Sequence, residues 1–151
     1  MAVKLEGAHL ATVEKLTASG IPVMGHLGLT PQSLHQLGGY RVQGRSDGDA
    51  ILEAALALEK SGAFAIVLEL VPAELAARIT AALSIPTIGI GAGVGCDAQV
   101  LVWTDMVGLT KNAPKLAKAY RDLRGEILGA AREFADDVRS GAFPSEDQTF
   151  H

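Results

Sequence analysis

Short aliphatic runs centred near residues 3, 23, 66, 88 and 101 alternate with helix-patterned segments, and this alternation constrains the fold more than any other feature. Strands buried on both faces read as unbroken Val, Ile and Leu, and parallel neighbours must be joined by a long crossover, usually a helix. Right-handed crossovers then bring the C-terminal end of every strand to the same side of the sheet. The composition agrees, with 48% hydrophobic residues but only 5% aromatic ones, which describes an aliphatic core. At 151 residues the chain is expected to form one domain over 1–151, its last helices and tail occupying 110–151.

In chain order, Ala2 to Leu5 is the first strand and closes on Glu6-Gly7. Leu10, Val13 and Leu16 give helical spacing from His9 to Ala18, with Gly20 as the stop. Ile21 to Met24 reads as the second strand, with His26 just past its end. From Gly28 to Asp47 the chain turns polar and glycine-rich, with Thr30-Pro31-Gln32-Ser33 as a helix start and Gly38-Gly39-Tyr40 as a turn. So long an excursion in a tight α/β chain serves as a lid, a ligand loop or a subunit contact.

Asp49 to Lys60 resumes as a nearly all-round apolar helix. Ala63 to Glu69 is the central strand, ended by Pro72, and a helix follows from Ala73 to Leu83. Ile85 to Ile90 is the next strand, with Pro86 near its start. Gln99 to Trp103 is expected as the last strand, ending at Thr104-Asp105. Helices are expected from Pro114 to Leu123 and from Glu126 to Val138, stopped by Gly141 and Pro144.

Two architectures fit such a series: a doubly wound open sheet, or part of a (β/α)₈ barrel, since a whole barrel takes about 250 residues. The first strand begins almost at Met1, with nothing to cover its outer edge, so the sequence reads as the later part of a larger fold.

A net charge of −4 and a pI near 5.5 give no reason to expect nucleic acid. The apolar runs are too short to span a membrane. Cys96 is the only cysteine, which precludes an internal disulfide, fits a cytoplasmic location and reads as an inert small residue.

Polar residues gather at the expected strand ends: Lys4 and Glu6, His26, Glu69 and Asp105. Lys4 and Glu6 are two apart on a strand and so share a face. Such a pair suits an anionic oxygen and a divalent cation, or equally an ordinary salt bridge. His26 suits a hydrogen bond to a ligand oxygen or a proton transfer near neutral pH, although a lone histidine is more often structural. Glu69 lies among apolar neighbours at a strand's C-terminal mouth, where barrel enzymes place their chemistry, and it equally suits a surface ion pair. Asp105 reads first as a helix cap. The Gly89-Ile90-Gly91-Ala92-Gly93 run lacks the lysine and spacing of a nucleotide loop, so its glycines serve a tight turn and a close approach. Tyr40, Arg41, Gln43 and Arg45 are placed to reach a ligand or a subunit.

Taken together, Val3-Lys4-Leu5-Glu6-Gly7, Gly25 to Ser33, Gly38 to Arg45, Leu68-Glu69-Leu70-Val71-Pro72, Ile88 to Gly93 and the late Gly141-Ala142-Phe143-Pro144 resemble the ketopantoate hydroxymethyltransferase (3-methyl-2-oxobutanoate hydroxymethyltransferase) family. The resemblance covers nearly the whole chain. It implies an incomplete (β/α)₈ TIM barrel, comprising strands four to eight with their helices. It implies transfer of a one-carbon unit from 5,10-methylenetetrahydrofolate to 3-methyl-2-oxobutanoate, giving 2-dehydropantoate in pantothenate biosynthesis, with a magnesium ion. Glu69 would then be the base at C3 of the oxo acid, Lys4 and His26 would bind the substrate, and Glu6 would belong to the Mg²⁺ site.

The family's N-terminal aspartates, which anchor that ion, have no counterpart in these residues. Turnover is therefore expected only where the missing strands are supplied. The expected partners are a complementary N-terminal fragment or further copies of the chain in a homo-oligomer. Two other readings are a self-associating, non-catalytic α/β module and a flavodoxin-like domain holding a phosphate on Gly89 to Gly93.

Overall fold

A computed structural model describes residues 1–36 and 38–151. The chain divides into two compact units, 1–100 and 101–151.

The first unit is a parallel sheet whose five strands lie side by side in chain order: β1 (Val3–Glu6), β2 (Val23–Gly28), β3 (Ala65–Glu69), β4 (Thr87–Ile90) and β5 (Ala98–Gln99). The helices α1 (Leu10–Ala18), α2 (Gly48–Lys60) and α3 (Ala73–Ala82) are the crossovers joining β1 to β4. A doubly wound sheet reverses its strand order at a switch point, and this one never does. The unit is a sector of a (β/α) barrel.

Alternation along the strands sorts the side chains. Leu5, Val23, Leu27, Ile66 and Leu68 pack with Val13 of α1, Ala55 and Leu58 of α2, and Leu75, Ala76 and Ile79 of α3 in one aliphatic core. The alternate positions, Lys4, Glu6, Met24, His26, Val67 and Glu69, fall on the opposite face of the sheet. The register pairs Glu6 with His26, His26 with Val67, and Gly28 with Glu69.

A second polar cluster closes the far side of the sheet. Thr87, fully buried, donates its N–H to Asp97 Oδ2 at 2.8 Å and its hydroxyl to the same oxygen at 3.1 Å. Its hydroxyl also meets that of Thr80 on α3 at 2.8 Å. These two bonds from Thr87, backbone and then side chain, hold the Asp97 carboxyl below its ordinary value of 3.8.

Several sequence expectations are corrected. His26 lies inside β2 and not beyond it, because Gly25 to Gly28 pair with Ile66 to Glu69 despite their polar, glycine-rich character. The strand expected over Gln99 to Trp103 is only Ala98–Gln99, and Trp103–Met106 is a short helix, α4. No helix runs from Pro114 to Leu123. There the backbone instead donates back to the residues around α4, Tyr120 N–H to the carbonyl of Met106 and Leu123 N–H to that of Val107.

In the second unit one helix, α5 (Leu123–Ser140), replaces the predicted start at Glu126. The Asp122 side chain caps it by accepting from Gly125 N–H, and Gly141 ends it in the left-handed conformation at φ +75°. No described helix is long and apolar enough to cross a membrane.

Candidate active site

The site is built from the last interior positions of three adjacent strands. Glu6 ends β1, His26 is its partner across to β2, and Glu69 ends β3. Glu6 Oε1 lies 3.7 Å from Lys4 Nζ and 3.7 Å from His26 Nδ1. Its other oxygen accepts the Gln32 N–H at 2.9 Å, so the turn Pro31–Ser33 is pinned to the end of β1. On the other side of the imidazole, His26 Nε2 is 3.2 Å from Glu69 Oε2. Lys4, Glu6, His26 and Glu69 thus form one row of neighbouring side chains across β1, β2 and β3, whereas Asp105, expected from the sequence to join them, lies in the second unit.

The electrostatics of the row are uneven. Lys4 is 44% exposed, while Glu6 and Glu69 retain 11% and 14% of their side-chain surface. His26 is 2% exposed, yet neither ring nitrogen makes an aligned hydrogen bond. The contact at 3.2 Å to Glu69 is close enough for one but poorly directed, so proximity is present and the bond is not. Buried polar atoms are nearly always paired, and an unpaired pair beside two carboxylates marks a place for a ligand's polar atoms. A lysine ammonium and an imidazole are groups that bind oxyanions, and Glu69 sets a carboxylate beside the imidazole.

The backbone beneath Glu69 is unusually constrained. Its carbonyl accepts the Leu29 N–H at 2.8 Å, and Gly28 (φ +89°) packs so closely that a Cβ there would lie 2.2 Å from that same oxygen. The next residue, Leu70, is left-handed at φ +48°. No sequence signal distinguishes Leu70, since glycine and asparagine are the usual occupants of that conformation. The Gln32 amide and Gly28 also escape a reading based on side-chain chemistry.

The other candidates separate from this row. A cavity of about 230 Å³ lies beside the C-terminal ends of β1 and β2, lined by Gly7, Gly28, Thr30, Gln43 and Asp47 together with α2, but not by Glu6, His26 or Glu69. Gln43 therefore reaches a cavity, while Tyr40 is 72% exposed. Asp105 is not a cap: it is buried within α4, whose N-cap is Val102, and it belongs to the second unit. The glycines of the Gly89 to Gly93 run serve close packing, as a Cβ at Gly93 would lie 2.5 Å from that of Ala73 at the start of α3. Cys96 packs partly buried against the core.

A magnesium site does not assemble from these side chains alone. Among the described residues no three His, Cys, Asp or Glu groups converge on one point. Glu6 offers a single carboxylate, already engaged by Lys4 and the Gln32 amide, whereas Mg²⁺ takes six ligands in near-octahedral geometry.

Comparison with known proteins places the chain. The profile of the family described as ketopantoate hydroxymethyltransferase matches residues 1–146. A 3-methyl-2-oxobutanoate hydroxymethyltransferase of Acidothermus cellulolyticus is 60% identical over 99% of this chain and 56% of its own length. Those of Acaryochloris marina and a Nocardioides species are 60% and 56% identical, over 95% and 99% of this chain and 57% and 52% of their own lengths. The chain spans about half the length of the curated relatives it matches. It belongs to the ketopantoate hydroxymethyltransferase family.

Proposed function

We propose, from that membership, that this chain carries the proton-abstracting part of hydroxymethyl transfer to 3-methyl-2-oxobutanoate. The carrying observation is the row Lys4, Glu6, His26 and Glu69, with a buried imidazole whose two nitrogens lack hydrogen bonds beside a carboxylate. In this reading the oxo acid lies over the row, its oxygens meeting the Lys4 ammonium and an N–H of His26. Glu69 takes the proton from C3, and the electron pair of that C–H bond becomes an enolate. The two cationic or donor groups offset the charge that develops on its oxygen.

The enolate carbon then forms a bond to the methylene carried by 5,10-methylenetetrahydrofolate, and the bonds from that carbon to the folate nitrogens break. Water supplies the hydroxyl oxygen of 2-dehydropantoate, and the two folate nitrogens each end with a proton, one from that water and one that Glu69 removed from C3. Glu6, 3.7 Å from both Lys4 Nζ and His26 Nδ1, supplies a negative charge between them. Magnesium dependence, which the family relation suggests, requires ligands additional to Glu6. β1 has a sheet neighbour on one side only among the described residues, so the same reading calls for further strands at that edge. They would come from a complementary fragment or another copy of the chain, in a soluble, cytoplasmic assembly.

The test is hydrogen–deuterium exchange at C3 of 3-methyl-2-oxobutanoate, followed by NMR with every co-purifying chain retained. Exchange that disappears in Glu69→Gln supports the reading. Exchange that persists unchanged in that variant removes Glu69 as the base. Absence of exchange in the native assembly, with the oxo acid bound, favours the non-catalytic reading.

A further inference from the structure

We infer that the left-handed turn at Leu70 is a positioning device for the Glu69 carboxylate, fixed by the backbone of Gly28-Leu29 and of Gln43. This rests on the reading of Glu69 as the base and adds what aims it. Leu70 is the only residue other than glycine with positive φ among the described residues, and it directly follows the carboxylate. Such an outlier persists only where its surroundings over-determine it, and it is a reason to look for function.

The surroundings do over-determine it. Leu70 N–H donates to the Ile90 carbonyl at 2.9 Å, and the Leu70 carbonyl accepts the Gln43 N–H at 2.8 Å. The Glu69 carbonyl accepts the Leu29 N–H at 2.8 Å. Three separate segments thus grip two consecutive peptide units. Gly28 permits the nearest grip, since any side chain there would collide with the Glu69 carbonyl and with Val71.

The turn has a geometric consequence. β3 ends at Glu69 and α3 begins at Ala73, so only Leu70, Val71 and Pro72 connect them. An extended residue at position 70 would carry the strand onward and swing the Glu69 carboxylate relative to His26. The left-handed residue instead stops the strand at once and leaves Oε2 at 3.2 Å from His26 Nε2. Gln43 brings in the long polar excursion between β2 and α2, which makes that segment a brace for the base as well as a wall of the neighbouring cavity.

Two properties of Leu70 can be separated by substitution: its apolar bulk and its backbone conformation. Leu70→Val keeps an apolar side chain but is β-branched, which disfavours the left-handed region. Leu70→Asn loses the apolar bulk but tolerates that region. The readouts are C3 exchange of 3-methyl-2-oxobutanoate and the ring nitrogen NMR signals of His26, in the full chain with whatever partners it retains.

Positioning predicts that Leu70→Asn exchanges within about threefold of the native chain. It predicts that Leu70→Val slows by about tenfold or more, the scale expected for a misplaced catalytic group. The His26 signals should move in Leu70→Val and stay in Leu70→Asn. The reverse order, with valine near native and asparagine impaired, overturns the inference and makes Leu70 a packing residue. If the valine variant does not fold, Leu70→Ala against Leu70→Asn poses the same question: alanine slower supports positioning, and alanine equal or faster overturns it. If the native chain shows no exchange at all, the base assignment fails separately. The His26 signals then decide alone, and signals unmoved in both variants overturn the inference.

Discussion

Two buried polar clusters in the same sheet are built on opposite plans. Around Thr87 the polar groups are joined by hydrogen bonds, with Asp97 Oδ2 receiving both the N–H and the hydroxyl and Thr80 closing the group. Around His26 the groups are close but unbonded: carboxylates stand 3.7 and 3.2 Å from the ring, and neither nitrogen has an aligned partner. The first arrangement is what stability selects, because an unpaired buried group costs about 1–3 kcal/mol. The second tolerates that cost at a strand end facing away from the helices. Saturated polar groups hold the sheet together, and the proposed function assigns the unsaturated ones to a ligand's polar atoms.

Substitutions can break this contrast. The largest effect belongs to Glu69→Gln, which should lower C3 exchange by about 10²–10⁴-fold, the usual contribution of a general base. Its unfolding midpoint in urea should stay near native, and a fall in both together would assign Glu69 to structure. Next is Thr87→Val, which matches threonine in shape and removes the hydroxyl. It should cost about 1–3 kcal/mol in denaturant titration, since Thr80 and Asp97 lose a partner. Its effect on exchange should be slight, and a large one would tie the two clusters together.

His26→Leu sharpens the comparison by moving the other way. Replacing a buried ring whose nitrogens are unbonded should leave stability within about 1 kcal/mol of native, or raise it. Binding of the oxo acid should still weaken. A loss of stability as large as that of Thr87→Val would mean that the imidazole is satisfied in solution.

The smallest effect concerns acid. Asp97 titrates below 3.8 when folded, so its contribution is complete above the ordinary carboxylate range and fades as pH falls through the folded value. Carboxyl NMR should show the Asp97 midpoint below 3.8 in the native chain and displaced upward in Thr87→Val. Equal midpoints would deny the clamp.

The sequence reveals the parts of this contrast that rest on side-chain pattern. The aliphatic run before Glu69 and the shared face of Lys4 and Glu6 follow from periodicity and parallel-strand composition, whereas the barrel class, which periodicity leaves open against a doubly wound sheet, comes from the family resemblance. His26 was legible as a residue but not as part of a strand, because Gly25 and Gly28 read as a loop until β1 and β3 pair on either side. The stretch from Pro114 to Leu123 has helical composition, yet its amides at Tyr120 and Leu123 are claimed by the carbonyls of Met106 and Val107. Trp103 looked like the end of a strand and opens α4 instead, since β-propensity is weak evidence without a partner strand to pair with. Leu70 was invisible for a further reason. Its conformation is imposed by hydrogen bonds from residues distant in sequence, and nothing in a leucine announces it.

The most direct test of the account is a titration of the His26 ring with 3-methyl-2-oxobutanoate, followed by nitrogen NMR of the assembly as purified. A saturable shift of a His26 ring nitrogen is expected, lost in His26→Leu and weakened in Lys4→Ala, as the oxo acid supplies the missing hydrogen bond. Ring signals that stay fixed at concentrations where the acid is bound would contradict it, and would leave the row of Lys4, Glu6, His26 and Glu69 without a substrate.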